Sequence, residues 1–111
     1  MKKQIALVLI GLALSTSAVW AADIEKGKEI AFDRKKGNCL ACHQIEGGEL
    51  AGTVGPPLVA MKQRFEDRQT LWAQIYDSTA ANPNSMMPPF GRHGILSDAE
   101  LEAVVDYIHS L

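Results

Sequence analysis

The chain has 111 residues, 11 Lys and Arg against 13 Asp and Glu, and a formal net charge of −2. That length suits a single domain with a modest core, and the charge balance lacks the basic footprint left by nucleic-acid binding. No internal repeat, low-complexity tract or interdomain linker divides it.

Met1-Lys2-Lys3 is a short positive stretch, Ile5 to Leu14 is apolar apart from Gly11, and Ser15-Thr16-Ser17 leads into Val19-Trp20-Ala21. This order predicts a secretory signal peptide over residues 1–21, cleaved after Ala21. The apolar run falls short of the ~20 residues of a membrane span, and an uncleaved anchor is the lesser alternative. Residues 22–111 are then the folded domain, and loss of Lys2 and Lys3 moves the formal charge from −2 to −4.

The first predicted helix runs from Asp23, as N-cap, to Lys36. Ile24, Gly27 and Ala31 share one stripe. Arg34, Lys35 and Lys36 fall in the last turn, where positive charge complements the helix dipole, and Gly37 is expected to end the helix in a left-handed cap.

Cys39-Leu40-Ala41-Cys42-His43 follows directly. Cys-x-x-Cys-His is the attachment signature for c-type haem. Residues three apart share one face of a helical turn, so both thiols can reach the two vinyl groups of one haem edge as thioethers. His43 comes next in the chain and can meet the iron from the proximal side. A thiol-redox pair would sit near a βαβ pattern, and no alternating run precedes Cys39. A zinc site needs four ligands, whereas this motif offers three and the chain has no other cysteine. Haem is attached to reduced thiols after export, which points to a bacterial periplasm.

Gly47-Gly48, Gly52 and Gly55-Pro56-Pro57 mark a loop. A proximal histidine commonly donates its second ring N–H to a carbonyl. Two readings of Gly55-Pro56 stand: a turn that offers the Pro56 carbonyl to His43, with Leu58 packed on the haem, or a plain loop turn. Met61, near a short helix, reads as a core filler. A middle helix is expected from Asp67 to Ser78, with Leu71/Ile75 and Trp72/Tyr76 as i,i+4 pairs.

The segment Asn82 to Gly91 is a second loop, and it carries Met86-Met87-Pro88-Pro89. A residue before proline is driven to extended backbone, and the prolines fix their own angles without donating N–H. Such a stiff strap suits a thioether ligand, and His/Met ligation raises a haem potential. Met87 is preferred to Met86, which is offset by one residue. His93 is the rival, although its Gly-Arg and Gly neighbours look like a turn.

The last helix has the clearest start: Ser97 and Glu100 form a capping box, and Leu96 can staple against Leu101. Leu101, Val104, Val105, Ile108 and Leu111 make one apolar stripe, Tyr107 lies at its edge, and His109 reads as a surface histidine near the negative helix end. No strand is expected.

Taken together, Cys-x-x-Cys-His, Gly55-Pro56-Pro57-Leu58, Met87-Pro88 and the final helix with Tyr107 resemble class I cytochrome c. The resemblance implies an all-α fold of three to four short helices around one covalent haem c, with His43 and Met87 on the iron and Pro56 on His43. It also implies a close crossing of the first and last helices, for which Gly27 and Tyr107 have the matching residue types. The block Met87-Pro88-Pro89-Phe90-Gly91-Arg92-His93-Gly94-Ile95-Leu96, with Gly37 to His43 and Asn82-Pro83, is similar to the SoxX family, monohaem subunits of SoxAX complexes that oxidise thiosulfate.

That narrower resemblance implies a heterodimer with a SoxA-like cytochrome. SoxA would carry the bond-forming haem and act on the cysteine of the SoxY carrier. The present chain would accept the released electrons and pass them to a downstream cytochrome, as a subunit with no turnover site of its own. A free-standing electron carrier is the alternative.

Overall fold

The computed structural model describes residues 17–111, with side chains described from Asp23 onward. The expected leader therefore lies almost wholly outside the described residues. Four α-helices follow in order: α1 (Ser17–Phe32), α2 (Met61–Arg64), α3 (Arg68–Tyr76) and α4 (Asp98–His109). Single 3-10 turns at Cys39–Ala41 and Ser78–Ala80 interrupt the loops, and the described residues contain no strand. The all-α expectation holds.

Helix α1 differs from the sequence expectation at both ends. In the uncleaved chain its described part begins at Ser17, which places Asp23 inside the helix and not at a cap. No Gly or Pro separates Ser17 from Asp23, and an uninterrupted run of tolerant residues lets a helix propagate. It stops at Phe32, because Asp33 turns the chain: its carboxylate accepts the Lys35 N–H at 2.8 Å and its carbonyl accepts from Lys36 and Asn38 at 3.1 and 3.0 Å. Arg34, Lys35 and Lys36 thus lie in a turn beyond the helix. The left-handed residue is Asn38, at φ 48°, and not Gly37. Asparagine tolerates that region. Gly37 is small for another reason: its N–H bonds the Ile30 carbonyl at 3.1 Å, and a Cβ there would sit 2.8 Å from that oxygen.

The core forms where α1 crosses α4. A Cβ on Gly27 would lie 2.0 Å from the Ala103 carbonyl oxygen and 2.8 Å from Tyr107 Cβ, so only glycine permits the approach. Ile30 and Ala31 from α1 and Leu101, Val104, Val105 and Ile108 from α4 are all buried in one cluster. Tyr107 is buried, not marginal, and meets the Phe32 ring edge-on with centroids 6.2 Å apart. Ser97 caps α4 in the expected box: its hydroxyl accepts the Glu100 N–H at 3.2 Å, and the Glu100 carboxylate accepts the Ser97 N–H at 3.1 Å.

Helix α3 is capped by Asp67, whose carboxylate accepts the Gln69 N–H at 2.9 Å. Its buried side is Leu71 and Ile75, while Trp72 and Tyr76 stack face to face at 4.7 Å. Arg68 fixes it to α4 through Asp106 and Glu102, each at 2.7 Å. The helix ends at Tyr76, two residues before the expected Ser78. Asp77 is extended, and its carboxylate caps the following turn by accepting the Thr79 N–H at 3.0 Å. His109 is half-buried, and its Nε2 lies 2.9 Å from the Phe65 carbonyl oxygen. It joins the end of α4 to the chain just after α2 and is not a free surface histidine.

Candidate haem site

The Cys39–His43 segment winds tightly, with the N–H groups of Cys42 and His43 both donating to the Cys39 carbonyl, at 3.2 and 2.9 Å. Backbone bonds then lay residues 52–58 along it: Gly52 N–H to Leu40 O at 2.7 Å, Gly55 N–H to Cys42 O at 2.8 Å, and Leu58 N–H to Gln44 O at 2.9 Å. The glycines make the approach possible. A Cβ on Gly52 would lie 2.0 Å from the Ala41 carbonyl oxygen, and one on Gly55 would lie 2.3 Å from His43 Cε1.

With the ring seated against Gly55, His43 Nδ1 lies 2.7 Å from the Pro56 carbonyl oxygen. A carbonyl only accepts, so Nδ1 carries the proton and Nε2 keeps its lone pair. The Gly-Pro turn is therefore engaged with the histidine, and the Gly55 position explains why the turn begins with glycine. Leu58 is buried, at the inner wall of the same cavity.

That cavity has a volume of about 830 Å³, inside the range of roughly 300–1,000 Å³ seen for cofactor sites. Cys39, Cys42 and His43 line one part of it. Leu58, Met61, Leu71 and Ile75 contribute apolar wall, α4 adds Val104 and Ile108, and the second loop adds Met87, Pro88 and Phe90. Met61 is buried, as expected for a filler, and its sulfur accepts from the Arg64 guanidinium at 3.3 Å. Arg34, Lys35, Lys36 and Arg64 border the cavity, and among the described residues no Asp or Glu does.

The two methionines of the second loop part company. Met86 is 81% exposed, whereas Met87 is half-buried against the core. His93 is exposed and is not among the residues bordering the cavity. Phe90 is buried, lining the wall. The loop is tied back to the end of α3: the Tyr76 carbonyl accepts from Gly91 and Arg92, both at 3.1 Å, and Arg92 reaches the Asp77 carboxylate at 3.0 Å. The Thr79 hydroxyl, more than Arg92, holds the Asp77 carboxyl below its ordinary range against a lesser opposing effect of burial.

Two features of the site suit haem, and two more speak against a thiol-exchange centre and a bare metal ion. The cavity is large, mostly apolar and bordered by two thiols on one turn, which suits a macrocycle attached along one edge. Its border holds cations and no carboxylate, which suits the anionic propionates. Burial, with a smaller contribution from Cys42, pushes the Cys39 thiol up to about 11, the reverse of the lowered value that a thiol-exchange centre needs. No cluster of three His, Cys, Asp or Glu side chains among the described residues is placed to hold a bare metal ion.

Three features carry no advance signal: the close approach at Gly52, Arg64 at the border, and the hydroxyls of Ser78 and Ser85, which bond the Met87 carbonyl at 2.8 Å and the Met87 N–H at 3.2 Å. Gly52 was readable only as a loop residue, and a lone arginine or serine carries no spacing signal.

Comparison with known proteins places these features. An uncharacterised lipoprotein of Aquifex aeolicus (strain VF5) is 37% identical over 76 residues, covering 68% of this chain and 37% of that protein. The cbb3-type cytochrome c oxidase subunit FixP of Bradyrhizobium sp. (strain ORS 278) is 32% identical over 118 residues, covering 89% of this chain and 37% of that protein. The chain thus spans little more than a third of the length of each of these relatives. The cytochrome c family profile matches residues 24–111, which take in most of α1, all the later helices and the whole border of the cavity. The chain belongs to the cytochrome c family, whose haem c is covalently bound, and Cys39 and Cys42 fit its attachment motif.

Proposed function

We propose that this cytochrome c is exported to a bacterial periplasm, cleaved after Ala21, and serves as the electron-accepting SoxX-type subunit of a thiosulfate-oxidising complex. The observation that carries the electron-transfer part of the reading is the donor set on one cavity. Two thiols, one imidazole and the thioethers of Met61, Met86 and Met87 border it; of the three, Met61 is buried beside Arg64, Met86 is exposed and Met87 is half-buried, and the chain has no further cysteine. Cys39 and Cys42 would hold the haem as thioethers and His43 and Met87 would bind its iron, which would leave the chain no thiol of its own for sulfur chemistry.

Haem supplies a one-electron couple, with a potential raised by a thioether ligand. The protein's own residues do the rest. The Pro56 carbonyl holds the His43 ring in one tautomer, which leaves the Nε2 lone pair as the one that would bind iron. The prolines after Met87 keep its loop from collapsing into helix. Leu58, Ile75, Val104 and Phe90 exclude water from the cavity, so that little solvent must reorganise when charge changes there. Arg34, Lys35, Lys36 and Arg64 stand at its border to meet carboxylates.

The sulfur-oxidation assignment rests on the Met87-to-Leu96 block and its similarity to SoxX. Within the complex, a SoxA-like partner would join thiosulfate to the cysteine of a SoxY carrier, and this chain would relay the electrons to a downstream cytochrome. A second reading, a free-standing carrier with no fixed SoxA partner, draws on the cytochrome c family match over residues 24–111, which is not particular to any one partner.

Reconstitution separates the two. The holoprotein is mixed with SoxA, SoxY and thiosulfate, and reduction of its haem is followed by absorbance. The SoxX reading expects a stable heterodimer and haem reduction coupled to conjugation. Conjugation at full rate without this chain, while its haem stays oxidised, would leave only the free carrier.

A further inference from the structure

Ser78 is 0% exposed, in the 3-10 turn after α3, and Ser85 is half-buried in the following loop. The Met87 N–H donates to the Ser85 hydroxyl at 3.2 Å, the Ser85 hydroxyl donates to the Ser78 hydroxyl at 3.0 Å, and the Ser78 hydroxyl donates to the Met87 carbonyl at 2.8 Å. The three bonds close a ring in which every hydroxyl both gives and accepts, an arrangement in which each bond polarises the next. Both polar groups of the Met87 backbone are engaged by side chains. The reason lies in the sequence. Pro88 and Pro89 have no N–H, so this stretch of loop cannot hold itself by backbone pairing.

The ring also sorts the two methionines. Both methionines border the cavity, but the ring fixes the backbone at the one whose side chain is half-buried and packed against the core, Met87, and leaves its neighbour, Met86, 81% exposed. We propose that Ser78 and Ser85 are positioning residues for the Met87 thioether: together they hold the backbone so that Met87, and not Met86, presents its sulfur to the haem. This rests on Met87 being the distal ligand.

The test uses ferric holoprotein and added imidazole, which competes with the thioether for iron. Ser85→Ala and Ser78→Ala should each tighten imidazole binding by at least roughly 2- to 12-fold, the range expected for loss of the one hydrogen bond that each hydroxyl makes to the Met87 backbone. Ser85→Thr, which keeps a hydroxyl, should return the value to that of the parent. In the ferrous protein, amide hydrogen exchange at Met87 should quicken in both alanine variants. Asp106→Asn, which weakens one of the two Arg68 ties between α3 and α4, should lower the urea midpoint and move neither readout.

Unchanged imidazole binding and exchange in Ser85→Ala overturns the proposal, as does an equal response in Asp106→Asn. If Ser78→Ala does not fold, the two Ser85 variants decide alone. A Met87→Ala protein that keeps its sulfur-to-iron charge-transfer band overturns the ligand assignment instead, so the two failures are told apart.

Discussion

The histidine side and the methionine side of the cavity are built by opposite means. Around His43, residues 52–58 approach by backbone hydrogen bonds, and the closeness depends on side chains that are missing, at Gly52 and Gly55. Around Met87, the loop is held by side chains that are present: the hydroxyls of Ser78 and Ser85, the Asp77 carboxylate and the Arg92 guanidinium. The first side has no room to add an atom, and the second cannot lose one. Rigidity of the histidine side comes from packed backbone, which deforms little. The methionine side depends on a few polar contacts, each worth about 0.5–1.5 kcal/mol net.

The contrast is broken most severely at Gly52. Gly52→Ala sets a Cβ 2.0 Å from a backbone carbonyl, which no rotamer change relieves. A loss of about 1–3 kcal/mol is expected, with a sharp fall in the holoprotein that pyridine haemochrome spectra detect. Gly55→Ala is milder, because its Cβ meets the His43 ring at 2.3 Å and a ring can swing. Swinging breaks the Nδ1 bond to Pro56, so the expected outcome is folded protein with a shifted potential. An unchanged potential in that variant would mean that the Pro56 carbonyl does not govern the histidine.

On the other side, Met87→Ala should abolish the sulfur-to-iron band and lower the potential, since thioether ligation favours ferrous iron. Met86→Ala should leave both where they are. The reverse pattern assigns Met86, and a band insensitive to both substitutions sends attention to His93.

The smallest effect concerns acid. Asp77 is held below its ordinary value, chiefly by Thr79 and then by Arg92. Its ionised form is thus favoured by folding. The stability it gives is complete above the unfolded carboxyl value of about 3.9 and is lost as pH falls through the lower folded value. Acid titration of the charge-transfer band should show this loss, and Asp77→Asn should flatten that part of the profile while leaving neutral-pH spectra unaltered.

Legibility in the sequence followed the reach of each interaction. Cys39 to His43, the Ser97–Glu100 box and the Asp67 cap all act over two to four residues, where residue type and spacing carry the geometry. The methionine loop was visible as a loop because prolines act on their own neighbours. The hydroxyl ring was not, because Ser78 reaches Met87 across nine positions with no periodic signal. His109 and Phe65 are 44 positions apart, so a local reading left the histidine on the surface. The ends of α1 were misjudged for the converse reason. Asp23 has the chemistry of a cap, yet a cap needs a chain that stops being helical before it. At the other end Asn38, not the neighbouring glycine, took the left-handed turn.

The contact between Gly27 and Ala103 has a consequence for the order of assembly. Its two halves come from opposite ends of the domain, so bringing them together closes a long loop and carries the entropy cost of one. The thiols of Cys39 and Cys42 lie next to the early half, while Val104 and Ile108 belong to the late one. Thioether formation before that closure would meet an open chain, with the final helix left to shut over the attached group.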